Sequence, residues 1–250
     1  VGIYLDNAQH TTVERNFVYS TGNSRYFRGG YPASGIGTAN ETYSTPNPLT
    51  DNRIINNIVV NTRWGFYYGA YESGGGLKNT LVSNNTFHEA RSAMVWIEAD
   101  AHSATTIQNN IFSQINGGLM HSGTANGITF RYNNWYGGNG GAATGAGDVI
   151  GNPLFANAGG LRADDYKLGN LSAAIHTAFD FTGVTNDYWG NLRTPTFDMG
   201  AHEASLSVGS SSPALPQPSS SRRRWSCSPP RRPRSSWPRR ICPIRPSAPA

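Results

Sequence analysis

The sequence predicts an all-β solenoid in which coils of three short strands stack in parallel. Three observations lead to this fold class. One asparagine, flanked by apolar residues at fixed offsets, recurs five times; its copies lie 41, 28, 25 and 23 residues apart; and short runs rich in Val, Ile, Thr and aromatic residues surround each copy. Such runs, broken by Asn and Gly, are typical of strands rather than helices.

The recurring asparagine marks the same point in every coil, and its copies are Asn16, Asn57, Asn85, Asn110 and Asn133. Three residues before each copy stands an apolar residue: Val13, Ile54, Val82, Ile107 or Phe130. Two residues after each copy stands another: Val18, Val59, Phe87, Phe112 or Trp135. We expect the amides to hydrogen-bond from coil to coil, as they do in other stacked sheets. Asn also suits this turn because it tolerates left-handed backbone angles.

A small residue followed by an apolar one begins the third strand of each coil. It lies eight residues after three of the asparagines, at Gly65, Ala93 and Gly118, and Phe66, Met94 and Leu119 follow it. The segments "GIYL" (2–5) and "GIG" (35–37) have the same pattern. Neighbouring coils would then pair in parallel, with strands ~4.8 Å apart.

Composition separates the end of the chain from the rest. Residues 205–250 contain nine Arg and no acidic residue, whereas residues 1–204 contain 11 Lys or Arg and 15 Asp or Glu. We expect a disordered tail over 204–250, because Ser, Pro and Arg bury too little apolar surface. One interpretation of this tail is a GC-rich gene read out of frame, which we favour. The other is a basic arm that binds nucleic acid or a membrane surface.

The predicted organisation is therefore β-helix coils over 1–147, a closing segment over 148–203 and the tail. The chain begins in mid-pattern and without Met, so we expect a fragment that lacks its N-terminal coils. It has no apolar run long enough to span a membrane. We expect a monomer with no nucleic-acid partner and no membrane span.

Several motifs resemble those of the right-handed parallel β-helix proteins of the pectate-lyase-like superfamily: "IINNIVV", "LVSNNTF", "TIQNNIF", "TFRYNNWY", "GNPLF" (151–155) and "DYWGNLRTPTFDMGAHE" (187–203). The resemblance covers residues 1–203 and departs at His176, where members of the superfamily tend to have Asp. It implies a secreted or cell-surface protein that acts on polysaccharide, such as a lyase of uronic-acid-containing glycans. A glycoside hydrolase is the enzymatic alternative. A glycan-binding adhesion module or a stalk is the non-enzymatic one.

Aromatic residues in and beside the longer turns are candidates for substrate binding, namely Tyr31, Trp64, Tyr67 and Tyr71. Amphipathic rings that line a groove make good platforms for sugars. The alternative interpretation is that these rings cover loops and edges of the coil.

A cluster of polar residues near one turn supplies the catalytic candidates. Glu72 and Asp100 lie seven residues after Gly65 and Ala93, so we expect them on neighbouring coils, with Glu98 beside them. Carboxylates about 5 Å apart would suit a shared Ca²⁺ held by Glu72, Glu98 and Asp100, or a retaining glycosidase pair. The resemblance adds an Arg or Lys as the base of a lyase. The catalytic candidates are Arg91, Glu98, Asp100 and His102. Solvated turn carboxylates without a function are the alternative.

Overall fold

The structure, a computed structural model, describes residues 1–41, 49–71, 74–181 and 183–204, which belong to one compact unit spanning Val1–Leu206. Sixteen strands pair in parallel within this part of the chain, which confirms the predicted all-β parallel β-helix. In chain order they are β1 (Ile3–Asp6), β2 (Thr12–Glu14), β3 (Phe17–Tyr19), β4 (Ile36–Ala39), β5 (Leu49–Thr50), β6 (Arg53–Ile55), β7 (Ile58–Gly69), β8 (Leu77–Lys78), β9 (Leu81–Ser83), β10 (Thr86–Ile97), β11 (Thr105–Gln108), β12 (Ile111–Ser113), β13 (Leu119–Gly123), β14 (Ile128–Arg131), β15 (Asn134–Tyr136) and β16 (Val149–Ile150). The helices of this part are three 3-10 turns, at Ser24–Tyr26, Gly141–Ala143 and Ala163–Tyr166.

Three faces run along the stack of coils. Face 1 is a five-stranded sheet of β2, β6, β9, β11 and β14. Faces 2 and 3 belong to one nine-stranded sheet, because β7 and β10 are long enough to serve both. Face 2 adds β3, β12, β15 and β16 to the first halves of β7 and β10, and face 3 adds β1, β4 and β13 to their second halves. The short strands β5 and β8 pair at the corner between faces 3 and 1.

The predicted asparagine ladder is present between faces 1 and 2. The side-chain oxygen of Asn85 accepts hydrogen bonds from the backbone nitrogen and the Nδ2 of Asn57, both at 2.9 Å. Asn110 does the same for Asn85, and Asn133 for Asn110. The ladder ends on Asp148, whose Oδ1 accepts from the backbone nitrogen of Asn133 at 2.8 Å. Buried amides that satisfy one another in this way fix the register of the coils.

From the sequence, we expect the ladder asparagine itself to adopt the left-handed backbone conformation. In the structure, the residue before it adopts that conformation. Arg15, Asn56, Asn84, Asn109 and Tyr132 have φ of 54°, 54°, 55°, 56° and 51°. The two adjacent asparagines therefore have different structural roles, because the first adopts the left-handed conformation of the turn and the second forms the ladder.

The first asparagine of each pair also holds the closing segment against the coil. Asn56 donates to the carbonyl of Asn186 at 2.7 Å, and Asn109 accepts from the backbone nitrogen of Phe179 at 2.8 Å. Asn84 donates to the carbonyl of Asp198 at 3.3 Å. Outward side chains of face 2, Ile58 and Val60 among them, are buried under this segment together with Tyr166 and Ala201. The described residues of the closing segment thus pack on face 2 and not on face 3.

The predicted register of the third strand is wrong by one residue. Ala93 pairs with Trp64 and Leu119, where the sequence pattern paired it with Gly65 and Gly118. Towards β7 the cause is an irregularity between Ala90 and Ala93 that gives β10 one extra residue at the bend between faces 2 and 3. Towards β13 the shift has the opposite sense, because the connection from β12 to β13 is longer still.

Two further predictions meet the structure only in part. Strand β16 continues face 2 beyond residue 147, inside the predicted closing segment. The predicted tail lies outside the described residues apart from Ala204. No helix in the described part of the chain is long and apolar enough to cross a membrane.

Candidate functional site

An aromatic strip lies on the outer side of face 3. The strand register places Tyr4, Gly37, Tyr67 and Trp96 at equivalent positions of four neighbouring coils. Side chains alternate along a strand, and the next residues inward, such as Leu5 and Ile97, are buried. The strip therefore faces outward at a spacing of ~4.8 Å per coil.

The rings of this strip contact one another in sequence. Tyr4 and Tyr67 are stacked with centroids 6.4 Å apart, and Gly37 between them leaves the space that the Tyr67 ring occupies. Trp96 lies 6.2 Å from Tyr67 and stacks on Trp64 at 4.2 Å with an interplanar angle of 19°. Offset stacking of this kind fixes ring orientation. Tyr4 is 38% exposed, and Trp64 and Trp96 are partly exposed. Tyr67, at 4% exposure, is buried among them.

A hairpin from the long turn after β3 closes one side of the strip. Arg28 and Tyr31 exchange backbone hydrogen bonds at 3.1 and 3.2 Å, and the two residues between them, Gly29 and Gly30, have φ of 60° and 78°. Positive φ at both central positions is what this tight hairpin turn requires, and glycine supplies it without strain. The hairpin holds Tyr31 so that the Arg63 guanidinium lies 4.3 Å from the centre of its ring.

Arg91, a predicted base, lies at the same end of face 3. It is exposed, and its guanidinium is 5.7 Å from the ring centre of Phe27 and 5.9 Å from that of Tyr31. It also lines a cleft of about 360 Å³ together with Asn61 and Glu89. Both oxygens of Glu89 accept backbone hydrogen bonds from residues 115 and 116, so Glu89 braces a neighbouring turn.

Acidic residues lie along one side of the strip, at or just beyond the C-terminal ends of the face 3 strands. The Tyr4 hydroxyl donates to the carboxylate of Glu41, whose backbone nitrogen donates to Asp6 at 2.9 Å. Burial raises the pKa of Tyr67 to about 12, with further contributions from Tyr71 and Glu41 nearby. Glu98 accepts from the backbone nitrogen of Ala70 at 2.8 Å. Carboxylates and aromatic rings thus share face 3, and Glu98 follows Trp96 by two residues on the same side.

Asp100 acts chiefly as an anchor within the turn that follows β10. One of its oxygens accepts from the Tyr68 hydroxyl, and the other accepts from the backbone nitrogens of Gly74 at 3.1 Å and Ala101 at 2.8 Å. Burial, and then the Asp100 carboxylate itself, raise the pKa of Tyr68. Both carboxylate oxygens are therefore engaged by the protein.

His102 is buried beneath this turn. Its Nδ1 accepts from the backbone nitrogen of Leu77 at 3.0 Å, and its Nε2 lies 2.9 Å from the carbonyl of Glu98. This pattern assigns a neutral ring with the proton on Nε2, and burial lowers the pKa of His102. Both ring nitrogens are thus occupied by the backbone.

The predicted Ca²⁺ site depends on a residue outside the described part of the chain, Glu72. Because of the extra residue in β10, Glu98 pairs with Gly69, and its backbone nitrogen donates to the Tyr68 carbonyl at 3.1 Å. Among the described residues, no group of three or more His, Cys, Asp or Glu side chains could hold a metal ion. Calcium binding stays a prediction that requires Glu72.

The structure separates the sequence candidates into two groups on one face. Trp64, Tyr67 and Tyr31 lie on or beside the strip, with Arg91 near Tyr31. Glu98, Asp100 and Tyr71 lie to one side of it, beyond the C-terminal ends of β7 and β10. Tyr71 is 55% exposed, which leaves it accessible from solvent.

Sequence reasoning missed three residues of this face: Tyr4, Arg63 as a binding residue, and Trp96. The alternation in "VWIE" (95–98) would have placed Trp96 beside Glu98. No protein-family model matches this sequence, and no curated protein matches it at a significant level. Function is therefore inferred from the side chains of face 3 themselves.

Proposed function

We propose that face 3 binds an extended polysaccharide and that the chain is a secreted or cell-surface glycan-binding protein resembling the pectate-lyase-like superfamily. The observation that carries this proposal is the partly exposed strip formed by Tyr4, Trp96 and Trp64. The buried Tyr67 ring packs among them and supports the strip. Sugar rings pack their C–H faces on such aromatic surfaces. Polar side chains beside the strip, such as Arg91 and Glu98, would form hydrogen bonds with the sugar hydroxyls.

The direction of the strip favours a polymer over a single sugar. Its rings come from neighbouring coils of the stack, so the surface extends along the coil axis rather than forming a closed pocket. The described residues of the closing segment pack on face 2, so they do not compete with a long chain for face 3.

Two activities follow from such a face. A lyase would remove the proton beside a uronate carboxylate and expel the glycosidic oxygen. Arg91, in its deprotonated form, is our candidate for the base that accepts that proton. A non-enzymatic adhesion module would bind the polymer unchanged. The engagement of His102 and Asp100 by structural hydrogen bonds favours the second activity. Incubation with polygalacturonate, alginate and a neutral glucan, followed by the ultraviolet absorbance of unsaturated products, separates the two.

Binding itself is tested with one substitution and one matched control. Affinity electrophoresis of the body, residues 1–204, in gels that contain these polysaccharides should show retardation by at least one of them. Trp96→Ala should weaken that binding at least about fivefold, since a stacked ring contributes roughly 1 kcal/mol beyond its buried area. Tyr19→Ala removes an exposed ring from a different face and should leave binding unchanged. Equal effects of the two substitutions, or no retardation by any polymer, would contradict the proposal.

A further inference from the structure

The Arg63 guanidinium is held in a stack of flat groups. It lies 4.3 Å from the ring centre of Tyr31 and 4.1 Å from that of Trp64, and Trp64 in turn stacks on Trp96. The rings of Tyr31 and Trp64 restrict the motion of the guanidinium. Because its conformation is already restricted, the arginine loses little further conformational entropy when it binds a ligand.

No acid neutralises this arginine within the described part of the chain. Each ion pair found there involves other residues. The Nε of Arg63 is buried and has no hydrogen-bond acceptor. The two terminal nitrogens of Arg63 also have no hydrogen-bond partner in this part of the chain and, unlike Nε, are not buried. They are the donors that an oxyanion can reach, and a charge-assisted hydrogen bond to them would stabilise the bound ligand.

The surroundings of Arg63 are basic although the body of the protein is acidic. A cleft of about 420 Å³ is lined by Arg63, Arg28, Tyr31 and Ser34, with no acidic residue in its wall. Arg91 adds a third guanidinium near the same Tyr31 ring. Residues 1–204 carry 11 basic and 15 acidic residues, so this concentration of positive charge is local.

We propose that Arg63 is an anion-binding subsite of face 3, which takes the carboxylate or the sulfate group of an acidic sugar. The proposal rests on the proposed function, because the sugar ring that carries the group would stack on the neighbouring Trp96. A planar guanidinium binds either oxyanion through parallel N–H donors, which an ammonium group cannot match. Arg28 and Arg91 contribute charge on either side of it.

The test compares three oligosaccharides of equal length by calorimetric titration: an oligogalacturonate, its carboxyl-reduced neutral form, and a sulfated galactan fragment. The wild-type body should bind at least one acidic oligosaccharide more tightly than the neutral one. Arg63→Gln should weaken acidic binding by roughly tenfold to a hundredfold, the range of a charge-assisted hydrogen bond, and leave neutral binding unchanged. Arg63→Lys should recover only part of the loss. Preference for the galacturonate identifies a carboxylate, and preference for the galactan fragment identifies a sulfate.

A second measurement does not depend on the variants folding. Inorganic sulfate should compete with the acidic oligosaccharide on the wild-type protein and leave the neutral one bound. Arg162→Gln, at an exposed arginine of the closing segment, controls for the loss of one positive charge. If the neutral oligosaccharide binds as tightly as the acidic ones and depends on Trp96 but not on Arg63, only the anion subsite is overturned. If no oligosaccharide binds, both proposals fail.

Discussion

The guanidinium of Arg193 donates a hydrogen bond at 2.9 Å to the side-chain oxygen of Asn56, although 137 residues separate them in the chain. The same arginine forms a buried ion pair with Glu203 at 3.0 Å and donates to the carbonyls of Asp198 and Gly200. One side chain of the closing segment is therefore fixed to a turn of the coil, and it organises the last residues of the fold around it.

Replacing Arg193 with Met should destabilise the body by about 3–5 kcal/mol, because the Glu203 carboxylate would remain buried without its partner. Urea denaturation followed by circular dichroism measures the free energy of unfolding. Arg162→Met, at an exposed position of the same segment, is the control and should change it by less than about 0.5 kcal/mol. A similar loss of unfolding free energy in both variants would show that the buried ion pair does not contribute more to stability than an exposed arginine does.

The two neighbouring asparagines of one coil should respond differently to the same substitution. Asn85→Gly removes hydrogen bonds to Ile54, Ser83 and Asn110 and should cost about 1–3 kcal/mol, since buried partners lose their bonds. Asn84→Gly keeps the left-handed backbone at φ 55° and leaves the ladder intact. It loses only a long bond to the Asp198 carbonyl at 3.3 Å and one from the Ser83 hydroxyl, so it should cost less than Asn85→Gly. Melting midpoints of the two variants decide the matter, and an equal shift would count against the division of roles between the paired asparagines.

The stability of the body should depend on the protonation of His202. Burial lowers the pKa of His202 to about 4 from its ordinary 6.5, and its Nδ1 accepts from the backbone nitrogen of Leu168 at 3.0 Å. Between these two pH values the unfolded chain binds a proton that the folded chain excludes, so stability falls as the pH drops through this window.

Two nearby carboxyl groups act with the opposite sign. Burial raises the pKa of Asp198 and of Glu203, so the folded chain takes up protons there as the pH falls and gains stability. Comparison of the wild type with His202→Gln isolates the histidine, because both proteins keep these carboxyl groups. The slope of unfolding free energy against pH should be smaller for His202→Gln. Parallel slopes would remove His202 as the cause.

Calcium should stabilise the protein if Glu72 joins Glu98 and Asp100 around the ion. The expected gain is about 2.7 kcal/mol at a Ca²⁺ concentration one hundred times the dissociation constant. Calorimetric titration and melting with Ca²⁺ measure it, and Glu98→Gln should abolish the gain. Glu14→Gln, which removes a carboxylate paired with Arg15 on face 1, should retain it. No heat and no stabilisation at millimolar Ca²⁺ would rule out the site.

The spacing of the repeat determined the solenoid, its strands and its ladder. An asparagine that recurs with apolar residues three before and two after it can satisfy its amide only by stacking on the next copy, and the structure places Asn16, Asn57, Asn85, Asn110 and Asn133 in that order. Trp64 and Tyr67, singled out from the sequence as aromatic residues beside the longer turns, both lie in β7 with ring centroids 5.2 Å apart. Their role in substrate binding stays a prediction.

Tertiary structure alone decided how residues far apart in the chain meet. One extra residue in β10 shifted the register of face 3, so Glu98 lies opposite Gly69 and the simple counting from Gly65 and Ala93 failed. A bulge is a local backbone irregularity that hydrophobic periodicity does not reveal. The contact between Arg63 and Tyr31 depends on a hairpin from the preceding coil, and that between Arg193 and Asn56 on the return of the closing segment. The repeat fixes contacts between equivalent positions of neighbouring coils, whereas contacts made by loops and by the closing segment follow no period and exist only once the chain has folded.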